Sequence, residues 1–107
     1  MEINKFNSVV NEQLEKSKNL LTSKGNEYNF SNDRLNAFKV GGHLQNINQK
    51  QCLLGMLTKH IISVCDMISS QKTFSIEKWE EKITDTINYM LILKAMIVEE
   101  NDEQNKS

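Results

Sequence analysis

The chain has 107 residues, and its 13 basic and 14 acidic residues give a formal net charge of −1. This balance, with Arg34 as the only arginine, argues against general nucleic-acid binding. With a mean hydropathy of −0.52, no membrane-length apolar run and no signal-peptide core at the N-terminus, we expect a cytoplasmic protein without a membrane partner. A chain this short predicts one domain, with any binding site in a groove or between subunits.

Residues 3–23 predict the first helix, because apolar side chains recur there at helical spacing. One face carries Ile3, Phe6, Val10, Leu14, Ser17 and Leu21. Glu12 and Glu15 flank this face, and such an acidic pair either holds a divalent cation or is simply solvated. Lys24 and Gly25 predict the end of the helix, since a cation and a glycine are favoured there.

The second helix is predicted over residues 31–44. Ser31 is a suitable N-cap, and Phe30 and Leu35 stand where a hydrophobic staple places its two apolar residues. Gly41-Gly42 is expected to weaken the helix, because each glycine costs about 1 kcal/mol relative to alanine.

The third helix is predicted over residues 48–69, and Asn48 with Gln51 has the pattern of a capping box. Its main apolar face carries Leu53, Leu57, His60, Val64 and Ile68. On that face His60 is expected to be a core residue rather than a catalyst. Lys59 lies on the neighbouring face, where it either forms part of a polar rim or binds a phosphate.

The fourth helix is predicted over residues 76–99, with Ser75 as its N-cap. Its apolar stripe comprises Ile76, Trp79, Ile83, Ile87, Met90 and Ile97. A second stripe comprises Glu81, Asp85 and Asn88, which point roughly the same way and hold either a cation, a basic side chain or solvent. The C-terminal half is apolar over most of its circumference, which predicts a homo-oligomer formed through this last helix.

Together these elements predict an all-α fold, most simply a four-helix antiparallel bundle. Residues 1–100 form the single helical domain, and residues 101–107 form a polar tail that we expect to be frayed.

Four short motifs carry a family resemblance over residues 15–98. They are Lys24-Gly25-x-Glu27-Tyr28, Asp33-Arg34-Leu35, Lys59-His60 and Glu81-Lys82-x-x-Asp85-x-x-Asn88-Tyr89. In these motifs the chain resembles the small phage and prophage proteins of the nucleotide-modification-associated family. It more distantly resembles the all-α nucleoside triphosphate pyrophosphatases of the MazG and dimeric dUTPase type.

The resemblance implies a Mg²⁺-dependent nucleotide site built from acidic helices and often completed across a subunit interface. By position, Glu81 and Asp85 match the acidic pair of the last helix, and Asn88 matches the polar residue that follows it. The pyrophosphatases carry a second acidic pair on a preceding helix, which the third helix lacks. Glu12 and Glu15 have the required spacing, but they lie on the first helix.

The loop after the first helix adds candidate ligand-binding residues. Tyr28 either stacks on a base or plugs the end of the bundle, and Glu27 lies beside it. Arg34 either makes a bidentate phosphate contact or pairs with Asp33 or another nearby acid.

Three functions are compatible with these residues. The first is a nucleotide pyrophosphatase in which acids on the first and last helices hold Mg²⁺ while Lys59 and Arg34 hold phosphates. The second is a non-catalytic protein that sequesters a nucleotide or nucleotide-derived signal as a counter-defence, in the host cytoplasm if it is phage-encoded. The third is a helical protein-interaction module.

Overall fold

The computed structural model describes residues 1–28 and 32–106, with the backbone alone for residues 24–28. The described chain contains four helices, α1 (Ile3–Tyr28), α2 (Asn36–Gln45), α3 (Gln49–Ser69) and α4 (Ile76–Asn105). α3 packs between α2 and α4, and α4 also contacts α1. The prediction of an all-α four-helix bundle is confirmed.

The first helix is longer than predicted. α1 continues through Lys24 and Gly25 and ends at Tyr28. One glycine costs about 1 kcal/mol in a helix, which does not end a helix that is otherwise favourable. Phe30 and Ser31, predicted to staple and cap the second helix, lie outside the described residues.

The second helix begins at Asn36, later than the predicted start. Asp33 explains this difference, because its side-chain Oδ1 accepts a hydrogen bond of 2.9 Å from the Leu35 N–H. Its carbonyl accepts another, of 3.1 Å, from the Asn36 N–H. A short polar side chain that bonds the backbone two residues on favours a turn over a helix. The helix therefore starts after this turn, and Phe38 and the N-cap residue Leu35 are buried as predicted.

The N-termini of the two long later helices follow the predicted caps. Asn48 and Gln51 form a capping box in which each side chain accepts a hydrogen bond from the other residue's backbone N–H, at 2.9 and 3.0 Å. Ser75 Oγ accepts from the Lys78 N–H at 3.2 Å. Both signals are local, so the sequence alone predicts them.

The last helix continues to Asn105, beyond its predicted end at 99. Most of the segment predicted as a frayed tail is therefore helical. Glu99 and Glu100 form ion pairs with Lys39 and Lys50, at 2.9 and 3.1 Å. These pairs fix the helix to α2 and α3 at this level, and no glycine or proline follows to end it.

α3 and α4 run antiparallel. The start of α3 meets the end of α4, where Gln49 Nε2 donates to Glu100 Oε1 at 3.4 Å. Further along α3, the His60 and Tyr89 rings lie 5.0 Å apart. The buried core cluster consists of Leu35, Phe38, Cys52, Leu53, Leu57 and Met96. The core therefore lies where α2, α3 and α4 meet.

By length and composition alone, α3 can cross a membrane. Its most apolar window has a mean hydropathy of 1.4, and 22% of that window is buried. The sequence predicts no such helix, because no continuous apolar run is long enough. Apolar core helices of soluble proteins have the same composition, so this finding does not assign α3 to a membrane.

Gly41 and Gly42 lie where neighbouring parts of the chain approach closely, whereas Gly55 lies in open space. A Cβ added to Gly42 would lie 2.7 Å from the Ile47 carbonyl oxygen, whereas a Cβ added to Gly55 would meet nothing within 4 Å. Gly42→Ala must push backbone apart, and we expect a loss of about 1–3 kcal/mol in the free energy of unfolding. Gly55→Ala should gain about 0.5–1 kcal/mol from helix propensity alone. Urea unfolding followed by circular dichroism measures both, and equal effects would contradict this packing.

Candidate functional site

The predicted acidic pair lies at one cavity. Glu81 and Asp85, one turn apart on α4, line a cavity of about 450 Å³ beside α1. We call it the acidic cavity, and its other lining residues are Lys16, Leu20, Glu77, Glu80 and Thr84. One lysine thus faces four carboxylates, so the cavity favours cations over free phosphate.

Local interactions already stabilise some of this negative charge. Lys16 Nζ pairs with Glu80 Oε2 at 3.1 Å, and both side chains are about half exposed. Glu77 lies in the first turn of α4, where the positive end of the helix dipole stabilises a carboxylate. The acidic cavity is therefore also compatible with the alternative that Glu81 and Asp85 lie on a solvated helix face that binds no metal.

Asp85 also faces α3. Its Oδ2 lies 3.8 Å from His60 Nδ1, and the His60 ring is tilted against Tyr89. The His60 side chain is 24% exposed, which agrees with the expectation of a mainly buried histidine. Burial raises the pKa of the Tyr89 phenol, and the negative charge of Asp85 raises it further.

The contact between α1 and α4 is polar. Gln13 Nε2 donates to both Ser17 Oγ and Thr84 Oγ1, at 3.0 and 2.9 Å. Ser17 and Thr84 are almost completely buried. Asn88, one turn after Thr84, is 7% exposed, and within the described structure its Oδ1 accepts no hydrogen bond. Asn88 is thus buried beside this contact and does not line the acidic cavity.

Arg34 lies at a different cavity. This second cavity, of about 950 Å³, has an apolar wall formed by Leu91, Ile92 and Ala95 of α4. Arg34 Nη2 donates to the Leu21 carbonyl at 3.3 Å. The structure therefore does not bring Arg34 together with the acidic pair.

Acids and one lysine organise the rim of the second cavity. Lys39 Nζ contacts Asp33 Oδ2 at 2.6 Å and Glu99 Oε2 at 2.9 Å. The hydrogen bond from Lys39 lowers the pKa of Asp33, helped by the Leu35 N–H, and the same two acids raise the pKa of Lys39. Asp33 thus bonds Lys39 on α2.

The remaining predicted ligands are dispersed. Glu12, Glu15 and Lys59 are exposed and line neither cavity. The side chains of Glu27 and Tyr28 lie outside the described residues. Among the side chains of residues 1–23 and 32–106, no group of three or more histidine, cysteine or acidic residues is arranged to hold a metal ion. Of the four acids predicted to hold Mg²⁺, Glu81 and Asp85 line the same cavity, and Glu12 and Glu15 do not line it.

Sequence reasoning missed the polar contact that joins α1 to α4. Its only signal was Ser17, a small polar residue in the middle of an otherwise apolar face. Thr84 lies on α4 between the two predicted stripes, so neither stripe identified it. Lys16 was missed as well, because a lysine on a helix surface has no distinctive sequence pattern.

Comparison with protein-family models, curated proteins and solved structures finds no match. The resemblance drawn from the four short motifs therefore stays a prediction.

Asp85 is predicted to control the ionisation of Tyr89. In a Tyr28→Phe background, which leaves Tyr89 as the only tyrosine, Asp85→Asn should lower the pKa of Tyr89. The reason is that the carboxylate no longer opposes the tyrosinate charge, while burial still holds the pKa above its ordinary value. The ultraviolet absorbance of the tyrosinate, recorded against pH, measures the pKa of Tyr89. Glu81→Gln on the same helix is the control and should leave the midpoint in place, and an unchanged midpoint in Asp85→Asn would contradict the contact.

Proposed function

We propose that this chain is a helical protein-interaction module that works as a homo-oligomer, joined through its last helix. The supporting observation is the amount of surface that one chain leaves exposed. Its accessible surface is 8262 Å². A compact monomer of 12.4 kDa exposes about 6,100 Å². The excess, about 2,100 Å², is of the size that an obligate partner covers.

The dimensions of the chain support the same proposal. The Cα radius of gyration is 16.4 Å and the longest extent is 50 Å. A compact domain of 107 residues has a radius of gyration of about 13 Å. One chain by itself is thus too elongated to cover its own helices well.

One exposed side of α4 carries apolar residues along most of the helix. Ile76, Ile83, Met90 and Ile97 are between 41% and 65% exposed. They recur every seven residues, so they lie along one side of the helix. Soluble monomers rarely expose large contiguous apolar patches, which usually mark interaction sites. The predicted ligand residues, in contrast, are divided between two cavities and the solvent, which favours a protein partner over a small molecule.

Self-association predicts that stability depends on protein concentration, because a partner that binds only the folded chain stabilises it by mass action. Raising the concentration about 100-fold should raise the melting temperature by about 5 °C. Differential scanning calorimetry at several concentrations, with light-scattering mass on the same samples, measures this. A melting temperature independent of concentration, together with the mass of one chain throughout, would contradict the proposed homo-oligomer.

One observation favours a second candidate function, the binding of a nucleotide. Glu81 and Asp85 line the same cavity, and carboxylate oxygens are the ligands that Mg²⁺ prefers. In this proposal Glu81 and Asp85 hold Mg²⁺, which, when bound, neutralises the phosphates of the nucleotide. Lys16 is the nearest basic residue lining the cavity. Glu12 and Glu15 could contribute only from a second copy or after a movement of α1.

The nucleotide proposal predicts a rise in melting temperature with nucleoside triphosphates that requires Mg²⁺. The double variant Glu81→Gln, Asp85→Asn should lose the rise. Glu12→Gln, Glu15→Gln removes two carboxylates one turn apart outside the cavity, and it should keep the rise because Glu81 and Asp85 of one copy are sufficient to hold Mg²⁺ in this proposal. Chromatography of the recovered ligand then separates the alternatives, since pyrophosphate release indicates a pyrophosphatase and intact nucleotide indicates sequestration. No rise with any nucleotide would exclude this candidate.

A further inference from the structure

α3 carries an exposed apolar stripe of its own. Leu54, Ile61 and Ile68 are 57%, 44% and 69% exposed. They recur every seven residues, as the exposed residues of α4 do. Thr58 and Cys65 lie between them on the same side, and both are exposed and uncharged. The stripe is therefore free of charge over about 20 Å of helix.

The stripes of α3 and α4 lie on the same side of the helix pair. His60 and Tyr89 face each other across the contact, and Ile61 and Met90 are the residues that follow them. Each is rotated by about 100° in the same sense from its contact residue. Antiparallel helices in contact are related by a local twofold axis perpendicular to their common plane. That rotation keeps every side chain on its own side of the plane, so Ile61 and Met90 point the same way.

The two stripes also match along their length. Tyr89 follows His60 by 29 positions, and Ile83, Met90 and Ile97 follow Leu54, Ile61 and Ile68 by the same 29. In the antiparallel pair, Ile61 lies level with Met90, Leu54 near Ile97, and Ile68 near Ile83. We call these six residues the outer face. It consists of three apolar layers, each with one residue from each helix.

α1 and α2 cover the opposite side of the pair. On α4, Thr84 accepts a hydrogen bond from Gln13 of α1. Thr84 is rotated about the helix axis from Tyr89 in the direction opposite to that of Met90. On α3, Cys52 accepts a weak contact of 3.8 Å from Gln45 of α2. Cys52 is rotated about the helix axis from His60 in the direction opposite to that of Ile61. The outer face therefore lies on the side of the helix pair that is turned away from α1 and α2. Within the described chain, no other helix covers it.

We propose that a second copy of this chain covers the outer face, so that two α3–α4 pairs form a four-helix bundle across a twofold axis. This inference rests on the proposed function and names its partner and its surface. The outer face is suited to pairing with the same face of a second copy. Its residues recur every seven positions on both α3 and α4, so the layers of one copy can meet the same layers of the other. Heptad-spaced apolar side chains without charges are the pattern that such bundles bury.

The area agrees with this occupant. Obligate homodimers bury about 1,000–2,500 Å² per chain. The outer face contributes part of the roughly 2,100 Å² by which the exposed surface of the chain exceeds that of a compact monomer, and exposed apolar residues of α1 such as Phe6 and Leu14 contribute another part. The outer face supplies a continuous apolar centre for such an interface. Lys94 is the nearest exposed charge on α4 and would lie at the rim, where a lysine stem packs and its ammonium stays in water.

Two matched pairs of variants test the proposal. Ile61→Asp places a carboxylate at the centre of the outer face in both copies, and we expect the dimer to weaken about 100-fold or more. Ile62→Asp changes the next residue, an isoleucine that is also exposed but points away from the outer face, and it should leave the dimer intact. Met90→Asp and Leu91→Asp form the same pair on α4. Sedimentation equilibrium measures the dissociation constant, and circular dichroism checks that each variant is helical.

Cys65 provides a second measurement in the unaltered chain. It lies on α3 between Ile61 and Ile68 of the outer face and is exposed in one copy, whereas Cys52 is buried. Maleimide should therefore modify Cys65 slowly at concentrations where the dimer forms and rapidly on dilution. This measurement does not depend on the folding of any variant.

The outcomes separate the inference from the proposed function. A monomeric wild-type chain overturns both, and so does a monomer that sediments with phosphatidylcholine vesicles, which would make the outer face a membrane-binding surface. A wild-type oligomer that survives both Ile61→Asp and Met90→Asp overturns the outer face alone. Dissociation by the control variants as well as the test variants also overturns it, because the interface would then lie elsewhere or extend over the whole surface.

Discussion

The contact between α3 and α4 holds this molecule together, because Leu53 and Met96 are almost completely buried there, at 1% and 0% exposure. The same contact sets the register of the pair through His60 and Tyr89 and fixes which sides of both helices point outwards. α2 packs on one side of this pair, and α1 reaches it through polar residues. Among the described residues, no further helix lies on the remaining side. The exposed apolar face is thus a direct consequence of how the core is built.

The polar contact of α1 has its own consequence for function. The hydrogen bond between Gln13 and Thr84 and the half-exposed ion pair between Lys16 and Glu80 join α1 to α4, and each contributes a net strength of about 1 kcal/mol or less. The acidic cavity lies beside this contact, so a ligand or cation there would stabilise α1 against α4. An interaction module and a ligand site are therefore compatible in one molecule. They occupy opposite sides of α4, since the cavity faces α1 and the outer face is turned away from it.

The sequence predicted those features that depend on neighbours within a few residues. The caps at Asn48 and Ser75 are of this kind, and so is the helical spacing that fixed the fold class. The start of α2 was missed because Asp33 bonds a backbone N–H two residues on and delays the helix. The site was harder, because helical spacing states which residues share a face but not which helix meets that face. Arg34 and the Glu81–Asp85 pair consequently lie at separate cavities. Four of the six residues in the predicted apolar stripe of α4 are exposed in one copy.

The mass of the unaltered protein in solution tests the central claim most directly. Small-angle X-ray scattering gives this mass from the forward intensity, together with the radius of gyration. We expect a particle of twice 12.4 kDa, the mass of one chain, that is more compact for its mass than one copy. A particle of 12.4 kDa with a radius of gyration near the 16.4 Å of the single chain, at every concentration, would contradict the account.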